Sequence, residues 1–355
     1  MISQDCNEYI ISPEEKILVT GANGFIGSRV VRTLLSYGFK RVRCFTRPTS
    51  RSGSLEDIVK KFNRAGIEII KGNLLSREDC RIAAEGVSII YHLAAGIDKS
   101  FPGCFLNSVV TTRNILDAAI EKQTLKRFVN VSSLAVYSNE EIPRGGLLDE
   151  TCTVDTKLVE RYDPYAYGKA KQDQVVVDYA AKGLPYVIVR PGVVYGPGKT
   201  SIPGRVGIDT FGIFLHLGGL NTLPLSYIEN CAEAIVLAGI KKGVGSEVLN
   251  IVDDDLPTSG EFLHQYKINV RKFKSINVSY RLFYIFSYLW ENYAKWSKGQ
   301  LPSAFNRKRC TVYWKGNQYS NQKIKKMLGW EPRVKMEEGL RRYFEYCRKL
   351  EKNHA

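Results

Sequence analysis

Lys16-Ile17-Leu18-Val19-Thr20, running directly into Gly21-Ala22-Asn23-Gly24-Phe25-Ile26-Gly27, is the stretch that decides the architecture. Three apolar residues between Lys16 and Thr20 read as a short strand, and the glycine-rich turn hands the chain to a helix running through Arg29 to Leu35. Strand, turn and helix open a βαβ unit. The glycines have separate tasks: Gly21 turns without a Cβ penalty, Gly24 leaves room for a pyrophosphate, and Gly27 lets helix and strand approach closely. The spacing is GxxGxxG, so its placement between first strand and first helix carries the reading, with the helix amides pointing toward an anion.

The alternation then continues. Strand-like runs fall at Arg41–Phe45, Ile67–Lys71, Ile89–Leu93, Phe128–Val131 and Tyr186–Arg190, separated by helical stretches at Ser54–Ala65, Asn107–Lys122 and Tyr165–Ala181. Such apolar strands, each followed by a crossover helix, predict a Rossmann-like, doubly wound parallel α/β sheet covered on both faces, with a smaller C-terminal substrate domain. Residues 14–195 are expected to be mainly the dinucleotide-binding domain and 196–350 mainly the substrate-binding region, with Leu223–Tyr227 and nearby elements returning to the first. Past Arg190, Phe211–Gly218 and Glu229–Lys241 read as helices, and Leu223–Tyr227 and Glu247–Val252 as strands.

The chain of 355 residues carries 51 Lys or Arg against 36 Asp or Glu, a formal charge of +15. The excess is local: residues 267–326 hold 14 Lys or Arg and the single acid Glu291. No zinc-finger spacing or RNP-like run accompanies it, so specific nucleic-acid binding is not expected. Four scattered histidines and eight cysteines without CxxC spacing predict neither a metal site nor a disulfide framework. The first residues lack a basic start and a long apolar run, so a cytoplasmic protein is expected. The aromatic run from Tyr280 to Trp296 is broken at Glu291 and short for a membrane span; it reads as an amphipathic core or cleft helix, with peripheral membrane contact the alternative.

Tyr167 and Lys171 stand four apart in a helical stretch, which brings both to one face. A phenol beside an ammonium suits proton exchange with an alcohol or ketone, because the cation favours tyrosinate. Ser133, at the carboxyl end of the Phe128–Val131 strand, is the expected third donor, with Ser132 the adjacent alternative. Where a carboxylate at the end of the second strand would bind the ribose hydroxyls of NAD, the chain has Thr46-Arg47-Pro48. Arg47, with help from Arg51, favours the 2′-phosphate of NADP(H), with NAD(H) the alternative.

On these residues the chain resembles the extended short-chain dehydrogenase/reductase superfamily, the NAD-dependent epimerase/dehydratase family. The matches are TGANGFIG at 20–27, YHLAA at 91–95, VSSLAVY at 131–137, YxxxK at 167–171 and RPGVVYGPG at 190–198. The resemblance implies that Tyr167 is the acid/base, Lys171 its ribose-binding partner and Ser133 the substrate-oxygen donor. It places Gly21, Asn23, Gly24, Phe25, Ile26, Gly27, Asn73, Leu74, Leu93, Ala94, Ala95, Pro191 and Val194 against the cofactor, makes Asn107 a supporting residue, and implies a homodimer. Ser133-Leu134-Ala135 lacks the Asp-Glu pair of related nucleotide-sugar dehydratases, which argues against dehydration. Downstream, NTLPLSYIENCAEA at 221–234 and MLGWEPRV at 327–334 look most like the 3β-hydroxysteroid and sterol dehydrogenase branch. The expected function is therefore hydride transfer between a nicotinamide cofactor and a secondary alcohol or ketone, sterol-like or otherwise apolar. The alternative is a nucleotide-sugar 4-epimerase that works through a transient keto-sugar.

Overall fold

The computed structural model describes residues 8–50, 53–62, 66–121, 123–210, 212–298 and 300–354. The first half alternates as its sequence demands: β1 (Lys16–Thr20), α1 (Phe25–Ser36), β2 (Arg41–Thr46), α2 (Gly53–Phe62), β3 (Ile67–Lys71), α3 (Arg77–Ala84) and β4 (Val87–His92). A one-turn α4 (Phe101–Cys104) then passes through a π-helical turn (Phe105–Val110) into α5 (Thr111–Glu121) and β5 (Arg127–Val131). The short β6 (Leu147–Leu148) precedes α6 (Pro164–Ala180), β7 (Tyr186–Pro191) and β8 (Val193–Tyr195).

Later elements are β9 (Gly207–Thr210), β10 (Ile213–His216), β11 (Leu225–Tyr227), α7 (Ile228–Ile240), β12 (Glu247–Ile251), α8 (Ser259–Asn269) and β13 (Ser275–Asn277). The chain ends with α9 (Tyr280–Trp296), α10 (Arg307–Trp314), β14 (Gln318–Tyr319), α11 (Gln322–Leu328) and α12 (Met336–His354).

Seven strands form the main sheet in the order β12-β7-β5-β4-β1-β2-β3, every neighbouring pair parallel. Successive residues alternate between its two faces. Ile17, Val19, Ile89, Tyr91 and Val129 join the core under α1 and α7, whereas Leu18, Ile90 and Phe128 join the core under α3, α5 and α6. The strand order reverses between β1 and β4, and the carboxyl ends of these strands open onto the crevice where such sheets take ligands.

Residues assigned by position to the substrate side return to this main unit: β11 pairs with β8, and β12 forms the sheet edge beside β7. The smaller C-terminal unit, largely helical, is built around α8, α9 and α10 and the sheet β13-β10-β9. One expectation fails here. The Phe211–Gly218 region contains a strand, β10, paired antiparallel with β9. Gly212, at φ +77°, makes the turn between them, and Phe214 and His216 are buried while Ile213 is exposed. Four residues of alternating burial suit the central strand of this small sheet, between β9 and β13, and an apolar run this short does not distinguish the two periods.

Candidate active site

Gly21 adopts φ +66°, and a Cβ there would lie 3.1 Å from the backbone nitrogen of Ala94, so the turn sits directly on the β4 exit. Gly27 is tighter still: a Cβ would fall 2.1 Å from the Gly21 carbonyl oxygen. Gly24 caps α1 without a side-chain hydrogen bond, and the first turn holds no acidic residue. The positive end of a three-turn helix and its uncapped amides therefore face a cleft of about 630 Å³. This cradle fits a dinucleotide pyrophosphate. Phe25, Ile26, Leu93, Ala95 and Val194 line the same cleft. Ala94 donates its N–H to Thr20 Oγ1 at 3.3 Å. Asn23 lies half-buried within the turn, and Pro191 ends β7 just before the cleft-lining Gly192.

Facing the glycine turn across the cleft are Ser133, Tyr165 and Lys169. Tyr167 and Lys171 are absent from that wall: Tyr167 packs edge-on against Phe101 at 5.4 Å, and Lys171 is exposed. The stretch Tyr165-Ala166-Tyr167-Gly168-Lys169-Ala170-Lys171 contains two overlapping Tyr-x-x-x-Lys pairs. They are two residues apart, so they point about 200° apart around the helix and only one can face inward. The start of α6 settles which. Asp163 accepts the Ala166 N–H at 3.0 Å as N-cap, and Pro164 opens the first turn. That phase buries Ala166, Lys169, Gln172 and Asp173 and turns Lys171 to solvent.

Ser133 caps the single turn after β5, its Oγ accepting the Ala135 N–H at 3.2 Å. Its hydroxyl proton is thus left for the Tyr165 phenol oxygen. Burial pushes the Tyr165 hydroxyl up to about 12; the Ser133 hydrogen bond opposes this, and Tyr313, Asp163 and Asp173 reinforce it. The phenol is therefore protonated at neutral pH. Burial holds the Lys169 ammonium down at about 8 against the pull of Asp173. It donates to the Val131 carbonyl at 2.6 Å and to Gln172 Oε1 at 3.0 Å, which leaves one N–H for the cleft.

Two buried networks hold these groups. Gln172 donates to Thr112 Oγ1 at 2.8 Å; Thr112 meets His92 Nε2 at 2.9 Å, and His92 Nδ1 meets Thr20 Oγ1 at 2.9 Å, so Lys169 is tied to the end of β1. Beneath them, the Asp173 carboxylate accepts from Asn130 and Ser132, both at 2.8 Å, and from Arg190 at 3.1 Å. Ser132 is committed to that carboxylate, which leaves Ser133 as the serine presented to a substrate.

With the geometry in view, comparison with known proteins is decisive at one level. Residues 17–251 match the NAD dependent epimerase/dehydratase family. The chain belongs to that family. It is accordingly an NAD-binding enzyme of the extended short-chain dehydrogenase/reductase type. A 2-alkyl-3-oxoalkanoate reductase of Stenotrophomonas maltophilia is 28% identical over 341 residues, 92% of this chain and 98% of that protein. A trifunctional UDP-glucose 4,6-dehydratase/UDP-4-keto-6-deoxy-D-glucose 3,5-epimerase/UDP-4-keto-L-rhamnose-reductase of Arabidopsis thaliana is 27% identical over 94% of this chain. The chain spans about half of that plant protein, 47% of its length. Among solved structures, a UDP-glucuronic acid 4-epimerase from Bacillus cereus in complex with NAD superposes with a TM-score of 0.70 at 22% identity, covering 95% of this chain and 98% of that one. These likenesses establish the superfamily and not the 3β-hydroxysteroid branch that the downstream motifs resemble.

The family's cofactor corrects the expectation of NADP(H). The B. cereus epimerase and a dTDP-glucose 4,6-dehydratase from Streptomyces venezuelae were both solved with NAD. The structure supplies the physical reason for setting Arg47 aside: it is exposed beyond the end of β2 and does not line the cleft. Arg51 lies outside the described residues. Asn73 is exposed in a closed turn, its Oδ1 accepting the Leu75 N–H at 3.0 Å and its own N–H bonding Asp79 at 2.7 Å. Leu74 is buried, with its carbonyl held by Asn114 at 2.9 Å.

Asn107 also departs from its expected supporting position. It is exposed, and its amide donates to the Gly103 carbonyl at 3.0 Å. The π-helical turn advances the chain, so Ser108 faces inward instead and accepts the Gly96 N–H at 3.0 Å. The far wall of the cleft holds three residues that sequence reasoning missed: Lys199, Arg205 and Tyr313. Arg205 donates to the Val312 carbonyl at 2.9 Å and lies over the Tyr313 ring at 5.3 Å. Tyr313 donates to Asp163 at 3.2 Å, which joins α10 to the start of α6. No motif marks these three, because their meeting depends on how the C-terminal unit closes over the sheet. The second Tyr-x-x-x-Lys pair, directly after Asp163-Pro164, was a signal that could have found Tyr165 and Lys169.

Proposed function

We propose that the protein is an NAD-dependent nucleotide-sugar 4-epimerase, with Tyr165 as acid/base, Ser133 as substrate-oxygen donor and Lys169 as the positioning cation. The observation that carries the sugar-nucleotide reading is the far wall: among the described residues, neither Lys199 nor Arg205 has a carboxylate partner, and both line the cleft opposite the glycine turn. Two unneutralised cations in a half-buried cleft suit the pyrophosphate of a nucleotide sugar. The NAD-bound epimerase from B. cereus supports the same class.

Bound NAD supplies the hydride acceptor and later the donor. Tyr165 first gives up its own proton to solvent, and the phenolate then takes the proton of the sugar hydroxyl as the carbon gives up hydride, while Ser133 holds the oxygen through both halves. Lys169, with its free N–H, favours the transient phenolate. After the keto-sugar turns over, hydride returns to its opposite face and Tyr165 returns the proton. Leu134 and Ala135, which line the cleft where a dehydratase needs carboxyl groups, leave elimination without its acid and base.

Incubation with UDP-, GDP- and dTDP-sugars, followed by chromatography of the epimers, tests this directly. The expected outcome is interconversion without net change in NADH absorbance, slowed about 10²- to 10⁴-fold by Tyr165→Phe and nearly unchanged by Tyr167→Phe. Stoichiometric NADH consumption by a ketone, with no nucleotide sugar converted, would replace it with net reduction of an apolar ketone. That second reading is favoured by the near full-length likeness to the S. maltophilia reductase and by the sterol-like downstream motifs.

A further inference from the structure

Helix α9 carries an apolar face that no described residue covers. Its inner side is accounted for: Phe283, Ser287 and Ala294 are buried, and Phe283 packs edge-on against Trp314 at 5.1 Å. The outer side carries Leu282, Ile285, Leu289, Tyr293 and Trp296, all exposed, with Leu289 at 61% and Trp296 at 76%. These residues recur at steps of three and four, so they form one continuous stripe along a helix about 25 Å long. Phe286 and Tyr288 widen it. Contiguous apolar surface of this kind is unusual on a soluble monomer and marks an interface.

The surroundings of the stripe identify what it meets. Arg281 on α9, Lys298 just after it, and Lys272 and Lys274 in the segment that leads into it through β13 have, among the described residues, no carboxylate partner. A cleft of about 1430 Å³ beside α9 is lined by Arg281, Lys295, Arg307, Lys308 and Lys315 against Glu140, Glu160 and Glu291, so cations remain in excess there even after Lys308 pairs with Glu140 and Glu160. The segment 267–326 has a single acid, Glu291, and that carboxylate is already shared by Lys295 and Arg307. A second copy would bring the same positive charge against itself; an anionic bilayer neutralises it. Trp296 stacked on Tyr293 at 5.7 Å supplies the amphipathic aromatics that settle at headgroup depth. Among the described residues no helix is long and apolar enough to cross a membrane; an amphipathic helix of this kind meets a bilayer by lying in the interface.

We infer that the outer face of α9 docks the protein onto an anionic membrane surface, the apolar stripe entering the acyl boundary and the flanking Lys and Arg meeting lipid phosphates. The face lies one layer from the cleft: α9 packs on α10, and α10 carries Tyr313 on the cleft wall. This inference is independent of the sugar substrate.

Sedimentation of the full chain with vesicles tests it. The protein is expected to pellet with vesicles of equal parts phosphatidylcholine and phosphatidylglycerol, and to stay in solution with phosphatidylcholine alone. The double variant Leu289→Glu/Trp296→Glu, at exposed positions that leave the fold intact, should weaken binding at least about tenfold. Lys272→Glu/Arg281→Glu should weaken it by a similar factor and remove its salt dependence. Trp296 should be quenched by brominated lipid, and Trp296→Phe should abolish the added quenching. A chain that ignores anionic vesicles at low salt overturns the proposal. So does a stripe variant that only converts a dimer to a monomer in analytical ultracentrifugation, since the face would then belong to a second copy.

Discussion

At the scale of single residues, the assignment turns on two tyrosines that local sequence treats alike. Tyr165 and Tyr167 each precede a lysine by four positions, and what separates them is helix phase, fixed by the Asp163 cap and Pro164. The Tyr-x-x-x-Lys spacing was legible; the pair that lines the cleft was not. Ser133 was legible because a strand exit fixes its location without any helical phase. His92 carries a prediction of its own. It is fully buried between Thr20 and Thr112, and burial lowers its pKa from 6.5 to about 3, with Lys169 adding to the effect. A histidine whose folded pKa lies below its unfolded value stabilises fully above the unfolded one. That stability is lost as pH falls from about 6.5 toward 3, by up to ~1.4 kcal/mol per pH unit. The stability difference between the wild type and His92→Gln, from urea melts at several pH values, should therefore shrink with acidification over that window. Parallel curves would show that His92 is not held neutral.

At the scale of elements, α6 does two jobs that its sequence states in different ways. Its inward face buries Asp173 against Arg190, Asn130 and Ser132, and removing that carboxylate strands a buried guanidinium. Asp173→Ala is expected to cost about 3–5 kcal/mol in urea unfolding, whereas a loss below about 1 kcal/mol, the range of exposed pairs, would mean that the network is solvated. Gly168 permits the close approach of the Phe105–Val110 turn: a Cβ there would sit 3.2 Å from Cys104 and from Ser108 Oγ. Gly168→Val should therefore lower the melting temperature and loosen the wall that carries Tyr165, while Ala170→Val, on a less crowded part of the same helix, should do less. Strands β1 and β3 were readable to the residue, because each is a short, mostly apolar run closed by a glycine, Gly21 or Gly72, where the chain turns. The π-helical turn was not, since nothing in Phe105-Leu106-Asn107-Ser108 marks the extra residue that exchanges Asn107 for Ser108.

Across the whole molecule, the parallel sheet follows from repeated apolar runs and crossover helices, whereas its strand order, with the reversal between β1 and β4, is seen only in the folded chain. The far wall of the cleft was hidden, because Lys199, Arg205 and Tyr313 are 114 positions apart at their extremes and meet only through tertiary closure. β10 misled for a related reason: its pairing with β9 and β13, and not its own pattern, makes it a strand. Arg47 suggested a cofactor by its place in the sequence, yet the surface holds it away from the cleft. The aromatic run forms one helix, α9, with Arg281 and Lys295 from the basic segment on it. The central claim concerns where the nicotinamide meets the protein, and a crystal structure of the chain with NAD reads it directly. The account places the pyrophosphate on the amides of Gly24 to Gly27, Lys169 on the nicotinamide ribose, and the reactive carbon beside a substrate atom held about 3.5 Å away by Tyr165 and Ser133. A nicotinamide ring lying against Tyr167 and Lys171 would contradict it.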